Sequence, residues 1–335
     1  MLLTAAAAFS QETLAPVGTR DQKVVRRWAL PGDPRGLAIG SDGTVYVGLA
    51  EPQAVVAIDP QSGAVKKRVV LDSEEIASTK ELVTLRTDPA KTRLYIANGS
   101  DESATILSLP TLAVLREITM EGEPIRDVIP DPLGRYVYLL GHEVHVFDKD
   151  GGKELRALPV DDPMAIATTA NGSHLAVFAT EDFGNTKATV VVLYETKTFK
   201  EIAREPLQTD RSIEGALFAA SDKVLIAFSR DYLFEKPIVK RSATTFASLI
   251  NSDRACLPEK SGPQAVTLAG STLVYAERRC SASGAFGGAN RVITPASLYG
   301  VDAWAIAFDG TSIIATEPKS GHLTIYRLPR AATVR

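Results

Sequence analysis

Short apolar strands separated by tight turns recur in groups of four along this chain, and one such group cannot bury its own hydrophobic face. It must stack on copies of itself, which narrows the fold before any single residue is weighed. The copy that shows the pattern best opens at Gly36-Leu37-Ala38-Ile39, turns at Ser41-Asp42-Gly43 and continues through Val45-Tyr46-Val47 and Val55-Val56-Ala57-Ile58-Asp59. It turns again at Gly63 and ends over 65–71. Asp-Gly and Ser-Gly pairs between alternating apolar residues are hairpin signals, because primed turns need a positive φ.

A second copy uses 82–86, 94–97, 104–109 and 114–118, and a third uses 128–129, 136–140, 144–148 and 154–158. A fourth uses 165–168, 175–178, 189–194 and 199–203. The pattern weakens in a fifth copy (216–218 and 224–228) and a sixth (265–268 and 273–276), then returns in a seventh (304–308, 313–316 and 323–328). Turn residues Gly43, Gly134, Gly172, Gly270 and Gly310 mark a period of roughly 40–50 residues per unit. Helical periodicity is confined to 73–82, which reads as a short turn between copies. The seventh copy lacks a fourth strand, whereas 23–30 is an orphan strand before the first. Together these features predict an all-β fold: a seven-bladed β-propeller of four-stranded antiparallel blades, closed by the N-terminal strand on the last blade. One propeller domain then spans 11–335.

The segments Pro34-Arg35-Gly36-Leu37-Ala38-Ile39, Leu94-Tyr95-Ile96-Ala97-Asn98 and Val55-Val56-Ala57-Ile58-Asp59 with Gly63 resemble the YVTN family of β-propeller repeats. The resemblance covers essentially the whole chain after residue 10 and implies the same fold. Such repeats occur in surface-layer proteins, lactonase-like proteins and propeller subunits of periplasmic amine dehydrogenases, so the resemblance implies no single activity.

Hydrophobic residues make up 45% of the chain and charged residues 23%, enough to build a large core. A formal net charge of -3, with Lys and Arg scattered, leaves no electrostatic footprint for nucleic acid or an anionic membrane. After the N-terminus, no apolar stretch approaches the ~20 residues that span a bilayer. Residues 1–10 read as the remnant of a signal peptide, with Ala8-Phe9-Ser10 as the small-x-small site before Gln11, or else as an Ala-rich tail. The first reading puts the protein in the periplasm or outside the cell. There Cys256 and Cys280 either close one loop as a disulfide or remain separate thiols.

Familiar catalytic patterns do not fit. His142-Glu143-Val144-His145 lacks the i, i+4 helical spacing of a zinc protease, and on a strand its two rings point apart. Asp148-Lys149-Asp150-Gly151 begins like a calcium loop, but Pro159 stands where a bidentate Glu is required, so it reads as a hairpin turn. Asn98-Gly99-Ser100 and Asn171-Gly172-Ser173 likewise read as turns. There is no Gly-rich phosphate loop and no G-x-S-x-G elbow.

Loops that lead into the inner strands ring the channel mouth, where propellers meet ligands. Here they carry Asp33, Arg35, Glu81, Arg126, Asp127, Asp162, Arg211, Glu214, Gln264, Asp302 and Trp304. The favoured expectation is a scaffold, a monomer or a subunit of a hetero-complex, that offers these residues to a protein or small-molecule ligand. A second takes Asp127 and Glu214, with Asp162 and Asp302, as oxygen ligands for calcium or magnesium in a lactonase-like hydrolase. A third is the propeller subunit of a periplasmic dehydrogenase complex. Two late segments, 230–237 with Tyr232, Leu233 and Phe234, and 280–291 with Phe286, read as irregular insertions that supply an aromatic contact patch.

Overall fold

A computed structural model describes residues 24–50, 53–71, 84–97, 102–184, 186–206, 213, 215–219, 224–228, 232–237, 247–251, 263–269, 272–277, 294–299 and 303–328. The chain opens with β1 (Val24–Ala29) and then lays down sheets in sequence. The first joins β2 (Pro34–Ile39), β3 (Val45–Ala50), β4 (Gln53–Ile58) and β5 (Val65–Val70). The second joins β6 (Thr84–Thr87), β7 (Arg93–Ala97), β8 (Ser103–Ser108) and β9 (Val114–Thr119). The third is β10 (Asp127–Pro130), β11 (Tyr136–Leu140), β12 (Val144–Asp148) and β13 (Glu154–Leu158). The fourth is β14 (Pro163–Thr168), β15 (His174–Phe183), β16 (Thr186–Glu195) and β17 (Lys200–Pro206). The fifth is β18 (Gly215–Ala219), β19 (Val224–Phe228), β20 (Tyr232–Pro237) and β21 (Ala247–Asn251). The sixth is β22 (Pro263–Ala269), β23 (Thr272–Glu277) and β24 (Thr294–Tyr299). The seventh runs β25 (Ala305–Phe308), β26 (Ser312–Glu317), β27 (His322–Arg327) and finally β1. No helix among the described residues is long and apolar enough to cross a membrane.

These sheets are propeller blades, and burial follows strand position within each. All six residues of β3 are buried, because a middle strand is covered on both faces by neighbouring blades. The outer strands β5 and β9 are largely exposed, and charges such as Lys66, Lys67, Arg116 and Glu117 on them discourage edge-to-edge pairing. The hydrophobic core is therefore a series of layers between blades. One layer packs Trp28, Ile314, Leu323 and Ile325 of the last blade on Leu37, Val47, Leu49 and Val56 of the first. Inner strands adjoin around the channel, β2 beside β6, β6 beside β10, β14 beside β18, β22 beside β25, and β25 beside β2.

The orphan strand closes the ring as expected. β1 pairs antiparallel with β27, Trp28 opposite Leu323 and Arg27 opposite Thr324. Its side chains also cross to the first blade: Trp28 Nε1 donates to the Pro60 carbonyl at 3.1 Å, and Arg26 donates to the Gln61 carbonyl. The same staple recurs from the third residue of other outer strands. Lys67 donates to the Thr111 carbonyl, and Arg156 to Thr198 at 3.4 Å, in each case a turn of the next blade.

Acidic turns prove to be self-capping. Asp42 accepts the Thr44 N–H at 3.0 Å, Asp88 the Thr92 and Arg93 N–H groups at 2.7 and 2.8 Å, and Asp148 the Gly152 N–H at 2.7 Å. The segment 148–152 is thus the hairpin turn expected, with Gly151 at φ 65°. Asn171 likewise accepts the Ser173 N–H at 2.9 Å.

Two expectations need correction. Among the described residues the sixth sheet has three strands, and β23 pairs with β24 in parallel, not antiparallel. A parallel pair needs a connection of a dozen or more residues, and the interval 278–293 supplies that length. Residues 232–234 are not part of an irregular insertion: they lie in β20, hydrogen-bonded between β19 and β21. The β-prone sequence Tyr232-Leu233-Phe234 suits a strand in the body of a sheet. Residues 1–10, 73–82, Asn98, Cys256, Cys280 and Phe286 lie outside the described residues.

His322, at the start of β27, carries a pH signal. Its Nδ1 is buried without a hydrogen-bond partner, and burial, helped by Arg27 and opposed by Glu317, holds its pKa below the ordinary 6.5. The folded state therefore keeps His322 neutral while the unfolded chain takes up a proton below that value. Its contribution is full above the unfolded pKa and is lost as pH falls through 6.5 towards the folded value. Thermal unfolding should show a smaller drop in midpoint between about pH 7 and about pH 5 for His322→Gln than for the parent. Equal drops would remove His322 from the account.

Candidate functional site

Each blade begins at the same end of the channel, and three inner strands begin with proline. Pro34, Pro163 and Pro263 open β2, β14 and β22, positions where the sheet edge faces the channel and a missing N–H is tolerated. Register shifts follow, between Pro34 and Leu37, Pro163 and Ala165, and Pro263 and Ala265. Such bulges re-aim side chains. They fall at Arg35-Gly36, Met164 and Gln264, in each case directly after the proline.

Arg35 joins the first and last blades. Its Nη2 lies 2.6 Å from Asp33 Oδ2. Its guanidinium carbon stands 4.1 Å from the centroid of the Trp304 ring, which remains 37% exposed. Thr316 fixes both strands: its hydroxyl donates to the Arg35 carbonyl at 2.6 Å and accepts the Ala305 N–H at 3.2 Å. Charge and aromatic face are thus presented on paired backbone.

Between the second, third and fourth blades lies a second group. Arg86 pairs with Asp127 at 3.0 Å, and Asp127 also accepts the Val128 N–H at 2.9 Å. Arg126 Nη2 donates to the carbonyls of Gly141 and, at 2.6 Å, Pro163, while its Nε is buried without a partner. Burial pulls the Arg126 pKa below the ordinary arginine value, against the pull of Asp162 and Glu123. Asp162 is exposed and sits at φ 43°, a left-handed conformation that a non-glycine residue seldom adopts.

A third group has no counterpart among the residues expected from sequence. His145 is 7% exposed, with Nε2 at 3.0 Å from Glu123 Oε2 and Nδ1 at 2.8 Å from Glu154 Oε1. Glu123 Oε1 accepts the N–H groups of His142 and, at 3.0 Å, Glu143. Burial acts to raise the Glu123 pKa, but these N–H groups and His145 outweigh it and hold the carboxyl below its usual range. His142 lies in the bend before β12 and is exposed, whereas His145 is on the strand and buried, so the two part company without sharing a strand. Glu123 lies in a loop 22 positions from its histidine, a pairing no local pattern announces.

Of the residues expected at the mouth, the structure joins Arg35 to Asp33 and Trp304, and brings Arg126 and Asp127 to one region. Gln264 is described in backbone only, and Glu81, Arg211, Glu214 and Asp302 lie outside the described residues. The Asp127 carboxylate faces Arg86, not other carboxylates, and no group of three metal-ligating side chains occurs among the described residues.

No known family model and no curated protein matches the sequence. Solved structures do resemble it. The β-propeller domain of Cps50 (Swd1) from Myceliophteria thermophila aligns with a TM-score of 0.66 at 12% identity, covering 95% of this chain and 100% of that domain. Such a likeness shows the fold alone: the protein is a β-propeller. With 1365 solved chains matching, the fold leaves the choice of partner open.

Proposed function

We propose that this chain is a non-catalytic binding scaffold of the YVTN type, a single propeller over 11–335 acting in the periplasm or outside the cell. Its channel mouth is the contact face for a protein or small-molecule ligand. The observation that carries this reading is the Arg35–Trp304 pair, an exposed aromatic ring with a guanidinium 4.1 Å from its centroid. Trp and Arg dominate binding free energy at interfaces, and side chains already held in place lose little entropy on binding. The propeller fold, widely used to present loops to partners, supports the same reading.

A photo-crosslinking residue at position 304 should yield a discrete mass increment, small-molecule or protein, when the protein is activated in its own cells. The same residue at Val114, exposed on the outer strand β9, should yield none. Equal labelling at both positions, or none at either, overturns the proposal.

A further inference from the structure

Arg35, Arg86 and Arg126 are the arginines of the first two groups, yet they differ in how their charge is met. Arg35 has Asp33 at 2.6 Å and Arg86 has Asp127 at 3.0 Å. Arg126 has no carboxylate at ion-pair distance among the described residues. Its Nη2 is gripped by two neutral carbonyls, Gly141 on the third blade and Pro163 on the fourth, the latter at 2.6 Å. Carbonyls satisfy N–H groups but leave a partly desolvated charge without a counter-ion, and such a charge is costly. The neighbouring Glu123 is committed to His145 and to the backbone at 142 and 143. Asp162, one residue before Pro163, acts on Arg126 through space and makes no ion pair among the described residues.

We infer that Arg126 is the anchor for a carboxylate on the ligand of this mouth, an inference that rests on the mouth being the contact face. Its guanidinium is held between two blades through Nη2, so a carboxylate oxygen meets the N–H groups of Nη1 already oriented. The nearby charges select for a monoanion. Asp127 is offset by Arg86, but Asp162 is not, and a dianion such as phosphate would add repulsion that a single guanidinium does not cover.

The test uses the full chain, with benzoate as the carboxylate probe and inorganic phosphate as the dianion, at matched ionic strength. Benzoate should raise the thermal midpoint saturably with a low-millimolar apparent Kd, and phosphate should not. Arg126→Lys keeps the charge but loses the guanidinium that Gly141 and Pro163 hold in place, and should weaken benzoate about five-fold or more. Because Arg126 also bridges two blades, a second variant leaves it in place: Asp162→Asn suits the left-handed backbone and should tighten benzoate about three- to ten-fold. Unchanged benzoate affinity in Asp162→Asn, equal affinity in Arg126→Lys, or phosphate binding tighter than benzoate each overturns the assignment. If neither anion binds while the position-304 crosslink persists, the carboxylate assignment falls and the contact face stands. Benzoate binding without that crosslink has the opposite meaning: the anion site stands and the contact face falls.

Discussion

Trp28→Ala is expected to cost about 3–5 kcal/mol, the largest loss from any single truncation in the closing blade. The indole is 8% exposed and lies in the layer shared by the last and first blades, so its removal leaves a void beside the seam where β1 is held to β27 by hydrogen bonds and packing alone. It also deletes the Nε1 bond to Pro60 and uncovers Gly63, whose φ of 73° and lack of a side chain let the ring approach. A Cβ at 63 would stand 2.7 Å from the indole. Urea unfolding followed by circular dichroism measures the loss. With two tryptophans in the chain, the variant keeps Trp304 as a fluorescence reporter. An unchanged midpoint would mean that β1 contributes little to the seam.

Asp131→Ala is expected to cost about 3 kcal/mol for a different reason. The Asp131 side chain is fully buried and accepts Arg135 Nε and Nη2 at 2.8 and 2.9 Å, besides the Leu133 and Arg135 N–H groups at 3.2 and 3.1 Å. Arg135 in turn donates to Gly172 at 2.6 Å and Thr196 at 3.2 Å on the fourth blade. Removing the carboxylate strands buried N–H groups and frees the guanidinium that couples two blades. Asp131→Asn, which keeps an acceptor for the turn, should recover part of the loss in the same urea experiment. If Asp131→Asn is as damaging as Asp131→Ala, the charge and not the turn carries the effect. If neither shifts the midpoint, the coupling argument is wrong.

The blades were legible because strand sandwiches leave two marks that need no long-range knowledge. Middle strands are uniformly apolar, as in Val45-Tyr46-Val47, and turns need residues tolerant of positive φ, such as Gly43 and Gly134. The closing strand was legible by elimination, one strand short at one end and one spare at the other. Loop position singled out Arg35, Arg126 and Trp304, but gave no sign of which charges are neutralised. That depends on side chains from different blades, as with Arg86 and Asp127, 41 positions apart. The parallel β23–β24 pair was hidden for a related reason: strand direction depends on the path between strands, and hydrophobic periodicity is blind to it. The ten-residue β15 and β16 extend past their apolar segments because their distal halves, around Glu181-Asp182 and Thr186-Lys187, are polar and leave no periodic mark.

Closure by β1 also sets the order of events when the protein is made. Arg27 and its hydrogen-bond partner Thr324 are 297 positions apart, so at about 5–20 residues per second a ribosome needs roughly 15–60 s to deliver the second after the first. Through that interval Trp28 has no partner strand, and the blades already formed have an open side. Contacts of such long separation also slow refolding of the released chain. A product cut short before β27 cannot seat Trp28 against Leu323, so quality control on this protein has a natural mark to read: an indole still exposed at the beginning of the chain.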